Sequence, residues 1–262
     1  MKKKILYLLT CVGLCWSSCT NEVDEFIGNV EPSTRSVSTA LNANLASLFT
    51  GGAPTLTSAE IKVVNDAYAK MTSINCYRNI DEAVRNKTSY AGTIFLDDTY
   101  ASAYFRKGSL AFPPYGILAS SMEHEFIHMY QRDVQGKKVD TDKEKRDTGM
   151  MEFELAFYQG IIRYIHAGYS WTFKGEDGDP SYQSLWTSGL TDPSLIPQYE
   201  REFQTYVASI CANGKPTSID INEFVKWSNI FGEYSRGYSG KGYKFGNYDY
   251  GTSCFNSLLK LY

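Results

Sequence analysis

Along the chain the spacing of apolar residues changes period more than once. Ile61, Val64, Ala67 and Met71 recur three or four apart behind Ser58, which predicts a helix capped at that serine. A shorter helix is expected over 80–86. Short runs of β-branched and aromatic residues over 93–96, 102–106 and 109–112 then predict the strands of a small sheet. Pro113-Pro114-Tyr115-Gly116 breaks that sheet and opens a helix over about 117–134, stopped by Gly136. Residues 132–148 are nearly all charged or polar and read as a solvated loop. A long apolar helix over about 150–166 follows, ended by Gly168. Residues 170–198 read as irregular, with further helices near 197–211 and 219–231. The Gly, Tyr and Lys alternation over 234–250 suggests an ordered loop before a closing helix over 253–261. The expected class is α+β: a small sheet packed on one central helix, with a mainly helical C-terminal part.

The start of the chain has a different character. Lys2, Lys3 and Lys4 precede an apolar run from Ile5 to Trp16, about a dozen residues, which suits a secretory leader and is too short for a mature membrane span. Ser17 and Ser18 then lead into Cys19. This layout resembles a bacterial lipoprotein signal with Cys19 as the lipidated residue, and its Cys-Thr-Asn-Glu start resembles lipoproteins of the Bacteroides group; Trp16 stands where Leu or Val is usual. The expected organisation is a signal peptide over 1–18, a Ser/Thr/Asn-rich tether over 19–56 with room for a short helix near 41–48, and one domain over 57–262. The resemblance implies a lipid anchor in a bacterial cell envelope, at the outer membrane on its periplasmic or exposed side.

Composition narrows the function classes. The chain has 262 residues, 26 Lys+Arg against 29 Asp+Glu and a formal net charge of −3, and loss of the leader removes three lysines and no acid. An acidic chain lacks the basic face that nucleic-acid binding demands, so no nucleic-acid partner is expected. Outside the leader and Cys19, the cysteines are Cys76, Cys211 and Cys254, of which one pair is able to bond in an oxidising compartment; spacing does not choose the pair. There are only three histidines, and two of them lie four residues apart.

Those two belong to His124-Glu125-Phe126-Ile127-His128, an HExxH motif. Histidines at i and i+4 share one helix face and are spaced to bind one Zn²⁺, with Glu125 placed as general base for the metal's water. Leu118, Met122, Phe126 and Met129 form an apolar stripe, while His124, His128 and Gln131 lie about 200° around at 100° per residue. The helix is therefore expected at the floor of a cleft. For the third ligand the next helix offers Glu152 and Glu154. Glu152, Gln159, Arg163 and His166 share a polar stripe, whereas Glu154 points among Phe157, Ile161 and Ile165. A carboxylate on an apolar face needs a partner, so Glu154 is the preferred ligand over a solvated Glu152; the alternative is that Glu154 only pairs with a buried Arg or accepts backbone hydrogen bonds.

HExxH followed by a helical Glu 26 residues beyond its second histidine resembles the zincin metallopeptidases that use Glu as third ligand, over residues 93–166. The surrounding His-Glu-Phe-Ile-His-Met-Tyr-Gln also resembles zincin-like lipoproteins of gut bacteria. The resemblance implies one catalytic Zn²⁺ on His124, His128 and Glu154, with Glu125 taking a proton from water and passing it to the leaving amine, and a sheet edge lining the cleft. Two family features differ: Tyr158 stands where some relatives have Asp four residues after the ligand Glu, and the extended HExxHxxGxxH pattern is absent, with Val at 134. Tyr130, Tyr234, Tyr238, Tyr243 and Tyr248 are all near enough in sequence or loop placement to steady an oxyanion, and none is singled out. The expected function is an exported zinc peptidase acting on protein or peptide substrates. The alternative is a non-catalytic surface binding lipoprotein, for glycan or protein, on the same scaffold; its mark would be an aromatic platform away from His124.

Overall fold

The computed structural model describes residues 40–114, 116–137, 145–166, 191–235, 237–246 and 253–262. The signal segment, Cys19, most of the stretch expected to be irregular, and Tyr248 lie outside them. The fold is α+β, as the alternation of periods implied. Helices α1 (Ala43–Leu48), α2 (Ser58–Ser73) and α3 (Asn75–Lys87) precede strands β1 (Ile94–Leu96), β2 (Tyr104–Arg106) and β3 (Ser109–Phe112). Helix α4 (Ala119–Met129) follows and runs into a π-turn at Tyr130–Val134; then come α5 (Lys145–His166) and α6 (Ile196–Ile210). A two-strand ribbon of β4 (Cys211–Ala212) and β5 (Lys215–Pro216) leads to α7 (Ile221–Tyr234) and α8 (Ser253–Leu259). Among the described residues no helix is long and apolar enough to cross a membrane.

Local chemistry sets the boundaries. The cap of α2 is Thr57 rather than Ser58: its side chain accepts from the Glu60 backbone while Glu60 reaches back to the Thr57 backbone, satisfying two end amides reciprocally. The sheet order is β1-β3-β2, with β1 parallel and β2 antiparallel to the central β3. Lys107 and Gly108 both take positive φ, 51° and 78°, which gives the tight hairpin turn whose twist matches its strands. At Gly92 a Cβ would stand 2.2 Å from the Gly108 carbonyl oxygen, so only glycine allows the two segments to meet there.

The folded body starts earlier than the expected tether boundary at 56. Leu45, Leu48 and Phe49 are fully buried, and residues 48–52 exchange backbone hydrogen bonds with 90–94, extending the sheet beyond β1. Of the polar residues that suggested a linker, Asn44 and Ser47 sit on the exposed side of α1 and Asn42 caps it, accepting from the Asn44 amide. Two residues decide this, because burying Leu48 and Phe49 contributes roughly 1.5–3 kcal/mol each, more than a short tethered helix gains alone.

Helix α4 is the centre of the molecule. It packs against α2, α3, β2 and α5, so its polar face is enclosed as well as its apolar one. Helix α5 in turn is covered by α6, α7 and α8, with Phe153 and Phe157 stacked at 5.0 Å amid Phe203, Phe224, Trp227 and Phe255. The described aromatics of the loop after α7 belong to this packing: Tyr238 packs its ring against Phe231 at 5.0 Å, and Phe245 fills the space beside Gly232. Cys76 is a buried thiol whose pKa burial pushes up to about 12; the Cys254 side chain lies outside the described residues.

Between α2 and α3, buried Asp81 accepts from Tyr68 Oη at 2.8 Å and from Arg85 Nε at 2.9 Å. Removing the carboxylate strands both donors, so Asp81→Ala should cost about 3 kcal/mol, read from the urea midpoint. A loss below about 1 kcal/mol would show that the two donors find water instead.

Candidate metal centre

His124 and His128 stand one turn apart on α4, their rings edge-on with centroids 4.6 Å apart. Their Nε2 atoms are 3.0 Å apart. The carboxylate that meets them is Glu152 of α5: its Oε1 lies 3.3 Å from His128 Nε2 and its Oε2 3.9 Å from His124 Nε2. One ligand atom from each of the three residues falls within 4.8 Å of the others. In a tetrahedral zinc site, bonds of about 2.0–2.2 Å put neighbouring ligand atoms about 3.3–3.6 Å apart, within the span of these separations. Two imidazoles and a carboxylate are also the donor types that catalytic zinc takes, so the residues fit the ion.

Glu154, preferred from helical phase, is elsewhere. It is fully buried, and its Oε2 accepts from Lys137 Nζ and from Gln131 Nε2, both at 2.6 Å. The expectation that a carboxylate on this face needs a partner holds, but the partner is an ammonium and an amide rather than the ligand point. Helical phase alone puts the polar stripe carrying Glu152 toward water. Instead α5 is covered by protein, and the N-terminal part of the stripe faces α4, where Glu152 meets the histidines. Of its other members, Gln159 is buried and His166 is exposed.

Glu125 is buried beside this cluster, with Oε1 4.0 Å from His124 Nε2 and a hydrogen bond from the Phe105 backbone of β2. Burial, reinforced by the charge of Glu152 and opposed by His128, raises its pKa to about 8. Left to one another, the ligand-type groups divide the charge unequally. Burial and the neighbouring His128 lower His124 to about 3. Burial opposes charge on His128 too, but Glu152, Glu125 and Gln131 outweigh it and raise that imidazole. Burial likewise opposes charge on Glu152, yet His128, His124 and the Tyr238 hydroxyl hold the carboxyl low, at about 2.

Sequence reasoning missed two supporting residues. Tyr238 donates to Glu152 Oε2 at 2.9 Å; it was one of five tyrosines named, and nothing local distinguished it. Lys137 was absorbed into a charged loop and carries no sequence signal, since its partner lies 17 residues away. Gln131 was placed on the histidine face, and its position three residues after His128 is the signal that finds it: its Oε1 is 2.9 Å from His128 Nδ1.

Comparison of the chain with protein-family models, with curated proteins and with solved structures finds no match in any of the three.

Proposed function

We propose that the chain is an exported zinc-dependent peptidase of zincin type, with His124, His128 and Glu152 as metal ligands and Glu125 as general base. The observation that carries this reading is the convergence of three ligand atoms beside a buried carboxylate that is not needed to hold them. A structural site would leave Glu125 without a task, and burying a carboxylate for nothing is expensive.

Bound there, zinc supplies Lewis acidity, polarising a carbonyl and bringing an attacking water's pKa toward neutrality. Glu125 is the group beside the ligands that would take a proton from the attacking water and return it to the leaving amine. Phe105 orients it from the edge strand β2, so an extended peptide laid along that edge would pass beside the base. Tyr238 holds Glu152 in place. The segment 1–18 and Cys19 support export and lipid anchoring in a bacterial cell envelope.

One observation favours the rival, a surface binding lipoprotein. Tyr100 is exposed and its ring lies 4.9 Å from Tyr104, which also contacts Phe95, a small aromatic surface of the kind that stacks on sugars. Binding alone has no use for Glu125, so the enzyme is the better supported reading.

Metal content of the purified 20–262 fragment separates the ligands. One zinc per chain is expected, lost in Glu152→Ala and retained at saturating zinc in Glu154→Gln. Zinc lost in Glu154→Gln but kept in Glu152→Ala would reverse the ligand assignment.

Turnover is tested on an unfolded protein substrate. Glu125→Gln should keep its zinc and lose at least about 10²-fold in kcat. A zinc-loaded wild type that cleaves nothing, while retaining a glycan or peptide ligand through Tyr100 and Tyr104, would transfer the reading to the binding protein.

A further inference from the structure

The contacts around Gln131 fix more than its own position. Its Nε2 lies 2.6 Å from Glu154 Oε2 and 3.0 Å from the Met151 carbonyl oxygen. A carbonyl only accepts, and a carboxylate facing the Lys137 ammonium at 2.6 Å accepts as well. The nitrogen of the amide must therefore be on that side, and the oxygen must face His128 Nδ1 at 2.9 Å. An amide oxygen cannot donate, so Nδ1 carries the proton of that contact. In the neutral imidazole the lone pair then sits on Nε2, the atom directed at His124 and Glu152.

We infer that Lys137, Glu154 and Gln131 form a positioning relay that locks His128 in the tautomer and ring orientation required of a metal ligand. The inference rests on the zinc reading above and adds residues to it. The chain builds the relay from the end of α4. The π-turn is closed by the Gln135 amide bonding the Tyr130 carbonyl at 3.0 Å, and Gly136, at φ 74°, turns the backbone so that the Lys137 amide bonds the Gln131 carbonyl at 3.0 Å. Lys137 is thereby folded back onto α5, where it meets Glu154. A π-turn that directly continues a helix carrying these histidines is the kind of local distortion that tends to mark a functional position. His124 has no such support: its Nδ1 is buried without a hydrogen-bond partner among the described residues. Orientation of the pair therefore depends on His128.

The test is metal affinity of the folded full fragment, by competition with a chelator for Zn²⁺, together with the visible absorption of its Co²⁺ form. Gln131→Met keeps the side-chain volume and removes both polar ends. It should bind zinc about 10–100-fold more weakly, the usual loss for a residue supporting a ligand, and should shift the Co²⁺ bands. Gln131→Asn keeps an amide that is one methylene too short to span His128 and Glu154. It should lose affinity in the same direction, and it carries the test should Gln131→Met fail to fold. Glu154→Gln should lose less than Gln131→Met, because the Met151 carbonyl still orients the amide. A folded Gln131→Met or Gln131→Asn that binds zinc as the wild type does, with unchanged Co²⁺ bands, overturns the relay and leaves the zinc reading standing. A wild type that takes up neither Zn²⁺ nor Co²⁺ overturns both.

Discussion

The burial of α4 on every side is the constraint from which the other features follow. A helix carrying two imidazoles and a carboxylate is ordinarily left with that face in water. Here α2 and α3 cover one side, β2 another and α5 a third, so His124 and Glu125 are almost wholly enclosed. Enclosure removes water as a hydrogen-bond partner, and each polar group then needs a specific neighbour or a shifted charge state. Glu152 against His128, Gln131 behind it, Phe105 on Glu125 and Tyr238 on Glu152 are those neighbours. The same enclosure strengthens every electrostatic contact within the cluster.

This placement explains why the surrounding body is so aromatic. A polar cluster in the interior forfeits some of the stabilisation that an all-apolar α4–α5 contact would supply. The far side of α5 offsets this with Phe153, Phe157, Phe203, Phe224, Trp227 and Phe255 in mutual contact, each burying a large apolar area. The described part of the loop after α7 serves both halves: Tyr238 packs its ring against Phe231 and reaches Glu152 with its hydroxyl. The aromatic C-terminal region is therefore largely core, and its contribution to the site comes through one phenol.

Much of this was legible in the chain. The strands, the helix bearing His124 and His128, and the helix after it lie within a few residues of their expected bounds, because apolar period is a direct consequence of one-sided packing. Legibility ended where packing is two-sided. The phase of α5 correctly separated Glu152 from Glu154, but period cannot tell a stripe facing solvent from one facing a polar cleft, and it assigned Glu152 to water. In residues 40–56 the short helix near 41–48 is present as α1, but its docking was not legible: polar residues describe its exposed side, whereas Leu45, Leu48 and Phe49, too few to show a period, hold it to the domain. Lys137 was out of reach altogether, since its role depends on a left-handed glycine and a contact with a distant helix.

The two carboxylates of α5 show what period alone misses. Glu152 and Glu154 are two residues and about 200° apart on one helix, so a surface helix would present them to different surroundings. Here both act on the same imidazole. Glu152 faces the Nε2 of His128, while Glu154 acts on its Nδ1 through Gln131. Such an arrangement needs a helix buried on opposite flanks and a bridging side chain three residues beyond the histidine, both present here. It also accounts for Lys137. The fully buried Glu154 carboxyl needs a partner in place of water, and the Lys137 ammonium at 2.6 Å supplies it. Glu154 is thereby left as a hydrogen-bond acceptor that holds the amide, while Glu152 faces the Nε2 atoms of the histidine pair.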